Sequence, residues 1–186
     1  MKLTTKEITL VSLFTALITI GSKITIPSPT VPFTLQWMFV ALSGMLLGAR
    51  LGSLSMVVYV VLGLIGLPVF AKGGGIGYIV SPTFGYLVGF IVAAYIIGKA
   101  VESMKGNITF FSVLLSMSLG LAVVYTIGVA YMYLILNFYI GKSITLAKAI
   151  WTGALIFIPT DMFSAVLCSL LGVRIARQVR EIIDKV

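Results

Sequence analysis

The 186-residue chain has no histidine, a single cysteine and only five acidic residues. With Cys168 alone, no internal disulfide can form, and the ligand sets that hold zinc or haem are missing. Metal and redox catalysis are therefore not expected, and no metal site or cofactor is assigned. A serine or threonine nucleophile would lack a histidine base, which argues against hydrolysis of the usual kind. Long polar stretches are also scarce, so no room is left for a separate soluble domain.

What the chain does have is apolar surface. Hydrophobic residues make up 60% of it, against roughly 45–50% in soluble domains. Apolar runs suggest six helices over about 5–22, 35–51, 53–67, 82–102, 108–137 and 148–184. The expectation is one all-α membrane domain, residues 1–186, embedded in a lipid bilayer with six transmembrane helices. Gly21, Ser22 and Lys23 make a poor cleavage site, so the first run is kept as a helix and not read as a signal peptide.

The net charge of +8 would suit nucleic acid in a soluble protein, but here the basic residues lie between apolar runs and fit topology instead. Six crossings put Lys2, Lys6, Arg50, Lys99, Lys105, Arg174, Arg177, Arg180 and Lys185 on one side and Lys23, Lys72, Lys142 and Lys148 on the other. Nine against four places both termini in the cytoplasm. Beyond the sixth run, Ile175, Val179, Ile182 and Val186 recur at helical spacing opposite Arg174, Arg177 and Glu181, as in a helix lying along headgroups or a docking surface for a partner protein.

Small residues at every fourth position, Gly44-Gly48-Gly52, Gly85-Gly89 and Ser112-Ser116-Gly120, mark packing faces where helix backbones approach closely. Ser12 and Ala16, with Thr15 and Thr19 beside them, form a similar stripe on helix one. That stripe fits either an internal neighbour or another subunit.

Candidate chemistry gathers on the outward side. Residues 68–86 form a glycine-dense stretch, with Gly73, Gly74 and Gly75, too apolar for an ordinary solvated loop. It is either a tight re-entrant turn or a place where backbone groups meet a bound molecule. In the sixth run, Pro159 interrupts the helix next to Asp161, the one acid expected in mid-bilayer. Asp161 either recognises a ligand or ion, or it caps a broken half-helix together with Thr160. Trp37 and Trp151 fit an interfacial belt or the wall of an apolar pocket. Gly141-Lys142-Ser143 imitates the end of a P-loop, but its first glycine would fall at Leu136, so ATP is not bound that way.

Four segments stand out together: Pro29-Thr30-Val31-Pro32-Phe33-Thr34-Leu35-Gln36, Gly66-Leu67-Pro68-Val69-Phe70, Ser81-Pro82-Thr83-Phe84-Gly85-Tyr86 and Phe157-Ile158-Pro159-Thr160-Asp161. In combination they resemble the BioY proteins, the biotin-specific substrate-binding components of energy-coupling-factor (ECF) transporters. The resemblance implies an ECF S-component-like bundle that captures biotin outside a prokaryotic cell membrane. A transmembrane coupling subunit and two ATPase subunits would then drive import, and the chain itself would not be an enzyme.

The resemblance further implies that Asp161 accepts the ureido N–H groups of biotin and that backbone N–H groups near Gly73, Gly74 and Gly75 meet the ureido carbonyl. Phe33, Phe70, Tyr78, Tyr86 and Trp151 would wall the ring system, and Ser12 and Ala16 would dock the coupling subunit. The family's sixth-helix motif commonly reads Pro-Gly-Asp-x-x-Lys, and some relatives carry an arginine after the Gly-Tyr pair. This chain has Thr160, Ser164 and Leu87 at those positions, which leaves Lys72 as the candidate partner for the substrate carboxylate. Lipoate, which has an apolar ring and a carboxylate but no ureido group, is the competing substrate. A self-sufficient secondary carrier is the competing mode of action.

Overall fold

The computed structural model describes residues 3–26, 31–104 and 108–184, with side chains through Val173. Pro27, Pro29 and Thr30, Lys2, Lys105 and Lys185, and the side chains expected to make the tail amphipathic lie outside the described residues.

The protein is a bundle of helices: α1 (Thr5–Lys23), α2 (Gln36–Leu64), α3 (Phe84–Ser103), α4 (Phe110–Leu134), a short α5 (Leu146–Ile150) and α6 (Ile158–Asp184). The all-α expectation needs one amendment. Thr25–Ile26 (β1) and Phe33–Thr34 (β2) pair antiparallel, Thr25 opposite Thr34, and form a small hairpin between α1 and α2. Among the described residues, four helical segments are long and apolar enough to cross a membrane: Gln36–Leu64, Phe84–Ser103, Phe110–Tyr139 and Leu146–Val173. The chain is a multi-pass membrane protein.

Helix starts follow local chemistry. Thr4 and Glu7 form a reciprocal capping box at α1, and Thr109 caps α4 by accepting from the Ser112 N–H. The second and third runs, expected as separate helices meeting near residue 52, are joined in α2 and break at Gly48. Its φ of 80° and ψ of 179° are open to glycine and strained for other residues. In a straight helix residues 44 and 52 would stand about 12 Å apart. Here Ser43 Oγ lies 3.5 Å from the Gly52 carbonyl oxygen, and a methyl group on Gly52 would press within 2.7 Å of Gly44 Cα. The two arms of α2 therefore fold back on each other.

The small-residue stripes sit at the closest approaches. A side chain on Gly44 would meet the backbone of Ala94 on α3, and one on Gly89 would meet Val124 Cα on α4. Contact at this range favours dispersion between helices, where lipid offers no hydrophobic drive for association. Helix one divides its stripe: Thr15 is buried and donates to the Ser55 carbonyl (3.0 Å), whereas Ser12 and Ala16 face outward.

The sixth run is more irregular than a single proline kink. A wide π turn, Trp151–Leu155, follows α5, and α6 starts afresh at Ile158. Pro159 thus stands in the first turn of a new helix, where its missing N–H leaves no intrahelical bond unmade. A second π turn, Ile135–Tyr139, extends α4.

Candidate functional site

One end of the bundle encloses a cavity between the start of α2, the start of α3, the middle of α4 and the start of α6. Its walls are largely aromatic and aliphatic: Trp37, Tyr86, Leu87, Phe90, Val124 and Phe157. Polar groups are few, namely Thr34, Gln36, Tyr78, Thr83, Tyr125 and Asp161. A sparse set of polar groups on an apolar wall is the pattern of a small-molecule site.

Asp161 lies in the first turn of α6, where the helix dipole favours negative charge. Its backbone N–H bonds to the Phe157 carbonyl (3.0 Å), and the Thr160 hydroxyl donates to the same oxygen (2.9 Å). The Asp161 side chain accepts a 2.7 Å hydrogen bond from the Tyr125 hydroxyl on α4. Tyr125 fixes the carboxylate and leaves it acceptor capacity on the cavity side. A second, more open hollow of about 430 Å³, bounded by Ile24, Ile26, Phe33, Pro159 and Phe163, reaches the other flank of Asp161 and shares Thr34 with the first.

The loop after α2 closes the same end. Phe70, fully buried, fits against Gly63, where a side chain would overlap its ring. Ser22 Oγ donates to the Val69 carbonyl (2.6 Å), Tyr59 donates to the same oxygen (3.2 Å), and Lys23 Nζ donates to the Phe70 carbonyl (2.7 Å). Tyr131 donates to the Ile79 carbonyl farther along. These side chains fasten both stretches of the loop to the bundle. Tyr78 follows in a 3₁₀ turn (Ile76–Val80), its ring 4.4 Å from that of Phe70, and accepts from Thr83 Oγ1 (3.1 Å). Burial pushes the Tyr78 phenol above its ordinary pKa, so it stays neutral.

Of the residues singled out in the sequence, Asp161, Tyr78 and Tyr86 meet in the cavity wall. Tyr86 is held there by donating to the Gly153 carbonyl (2.7 Å). Phe33 borders the second hollow and packs its ring 4.3 Å from Phe157. Phe70 stands behind Tyr78 as core and is not part of the lining.

Gly73, Gly74, Gly75 and Lys72 lie in the covering loop and do not line the cavity; their neighbour Ala71 does. The expectation of free backbone donors there needs correction. Gly73 N–H bonds to the Phe70 carbonyl (3.1 Å) and Gly75 N–H to the Gly63 carbonyl (2.7 Å), because the loop uses them to hold its own turn. Trp151 is 61% exposed on the outer surface and fits an interfacial belt, whereas Trp37, only 2% exposed, is a wall of the cavity. Gln36, Trp37, Thr34 and Tyr125 were not singled out as polar ligand contacts. The Thr34–Gln36 signal was present in the quoted Pro-Phe-Thr-Leu-Gln motif.

A half-buried carboxylate in a largely apolar pocket, within a helical membrane bundle, defines a membrane protein that binds a small molecule. The comparisons make the class specific. The model of the BioY family matches residues 1–181, and the chain belongs to that family. A probable biotin transporter BioY of Lysinibacillus sphaericus is 39% identical over 176 residues, covering 95% of this chain and 89% of that protein. A biotin transporter BioY of Thermotoga maritima is 42% identical over 166 residues, covering 89% and 92%. The fold superposes with a TM-score of 0.81 on the crystal structure of the S-component for biotin from an ECF-type ABC transporter, at 27% identity and 95% coverage of both chains.

Proposed function

We propose that the chain captures biotin from outside a prokaryotic cell and presents it to ECF partners for ATP-driven import, without being an enzyme itself. The observation that carries this reading is Asp161, a carboxylate held by Tyr125 at the wall of an apolar cavity. Biotin brings two ureido N–H donors, an apolar bicyclic body and a carboxylate tail. Its N–H groups would bond to Asp161 in charge-assisted fashion. The bicyclic body would lie against Trp37, Phe90 and Tyr86, with Tyr78 and Phe33 towards the covering segments. Lipoate has no donor to offer Asp161, so the carboxylate favours biotin.

Six crossings arise if α1, the two arms of α2, α3, α4 and the α5–α6 run each span the bilayer. The cavity then opens at the lysine-poor side, facing out, and both termini lie in the cytoplasm. Ser12 and Ala16, exposed on α1, would dock a transmembrane coupling subunit that is driven by two ATPase subunits.

Competition binding on the purified chain with biotin, desthiobiotin and lipoate tests this. Biotin and desthiobiotin, which keep the ureido ring, should displace labelled biotin, whereas lipoate should not. Asp161→Asn should weaken biotin. Equal competition by lipoate would overturn the reading.

A further inference from the structure

Gln36 and Trp37 open α2 on the wall of the Asp161 cavity and are 4% and 2% exposed. Among the described residues, Trp37 Nε1 is a buried side-chain nitrogen that makes no hydrogen bond. Buried polar groups are nearly always paired, and an unpaired indole N–H on a cavity wall points to a ligand atom. The Gln36 amide meets the Tyr59 hydroxyl, whose own proton goes to the Val69 carbonyl, and since the amide carries two N–H groups one is left for the cavity. Trp37 stacks against Phe90, ring centroids 6.1 Å apart, which holds its indole plane.

An indole N–H can only donate, so the group that meets it must be an acceptor. Asp161 on the same cavity can only accept when ionised, and it already receives the Tyr125 proton. The cavity thus offers donors from α2 and an acceptor from α6. A cyclic urea has the complementary arrangement, N–H groups flanking a carbonyl oxygen. The glycine loop, by contrast, has two of its three candidate N–H groups bonded to its own chain.

We propose that Gln36 and Trp37 are the donors that recognise the carbonyl oxygen of the ligand's ureido head, while Asp161 takes its N–H groups. This rests on the biotin-capture reading and adds the residues that set specificity for the carbonyl. The probe is 2-iminobiotin, in which that oxygen is replaced by an imino nitrogen. Protonated at neutral pH, the group donates where biotin accepts.

Affinities of the full chain in detergent are measured for biotin and 2-iminobiotin, in wild type, Trp37→Phe and Gln36→Met. Because the cationic head of 2-iminobiotin also strengthens its bonds to Asp161, the readout is the ratio of the two affinities in each variant relative to wild type. Each variant should lose about ten- to hundredfold in biotin affinity and several-fold less in 2-iminobiotin affinity, so that the ratio shifts towards 2-iminobiotin. Equal losses for both ligands would mean that the side chains act through packing, and unchanged biotin affinity would mean that they do not meet the ligand. Either result overturns the inference. If Trp37→Phe does not fold, as judged by ligand-free thermal unfolding, the ratio in Gln36→Met decides. A wild type that binds neither ligand would sink the capture reading itself. Tight biotin binding with unaltered discrimination in the variants would sink this inference alone.

Discussion

Two membrane helices in this bundle are interrupted, and a carboxylate stands beside each interruption. At Gly48, between the arms of α2, the Ala49 N–H would be left without a partner, and Glu102 at the end of α3 accepts from it at 2.8 Å. At the start of α6, Pro159 has no N–H to satisfy, and the Asp161 N–H already bonds to Phe157. The Asp161 carboxylate is therefore not required by its own backbone and is turned to Tyr125 and the cavity. The same functional group closes a structural break at one end of the molecule and faces a cavity at the other. What separates the two is whether the freed backbone groups need it.

The largest effects should fall on this contrast. Asp161→Ala should weaken biotin binding by about a hundredfold, since hydrogen bonds to charged groups contribute roughly 1.5–3 kcal/mol and their loss strands the ligand's donors. The ligand-free protein should unfold near the wild-type temperature, because removing a half-buried charge also removes its desolvation cost. Glu102→Ala should do the reverse, costing about 1 kcal/mol of stability, as lost caps do, and leaving biotin affinity in place. Gly48→Ala should destabilise further, because a methyl group there would strike the Glu102 carboxylate on a backbone with φ of 80°. Thermal unfolding and titration calorimetry in detergent read both quantities. Equal losses of affinity in Asp161→Ala and Glu102→Ala would break the comparison.

The contrast also shows what the sequence could reveal. Apolar runs located the helices, and small-xxx-small spacing located packing faces such as Gly44 and Gly89. Asp161 was legible because an acid in an apolar run has few reasons to be there. The position of the Gly48 break was not, because Gly48 and Gly52 are equally able to turn and only packing against Gly44 and Glu102 chooses between them. Tyr125 was hidden among the several hydroxyl-bearing residues of an uncharged α4, since its pairing with Asp161 spans 36 residues. The roles of Trp37 and Trp151 were inseparable by type, and only tertiary burial distinguishes them. The glycine run misled because free backbone donors and turn-forming donors have the same composition.

Smaller changes refine the ligand end. Tyr125→Phe keeps the ring and removes the proton held by Asp161, so the carboxylate should be less well fixed and biotin affinity should fall by about three- to tenfold, as for one neutral-donor hydrogen bond. A loss as large as that in Asp161→Ala would assign Tyr125 a direct ligand contact instead of a positioning role.

Lys72→Ala should have the smallest effect. Its side chain is exposed on the covering loop, one residue beyond Ala71 at the cavity wall, so any attraction to a ligand carboxylate acts through water-like surroundings. Exposed ion pairs contribute little, and the expected loss for biotin is about two- to fivefold at low salt. Raising ionic strength to about 0.5 M should erase that loss, because screening then acts over a few ångströms. The methyl ester of biotin, which carries no charge at that end, should bind wild type and Lys72→Ala alike. Equal weakening of acid and ester would remove the carboxylate contact and leave Lys72 a part in loop packing, where its backbone N–H already supports the Tyr78 hydroxyl.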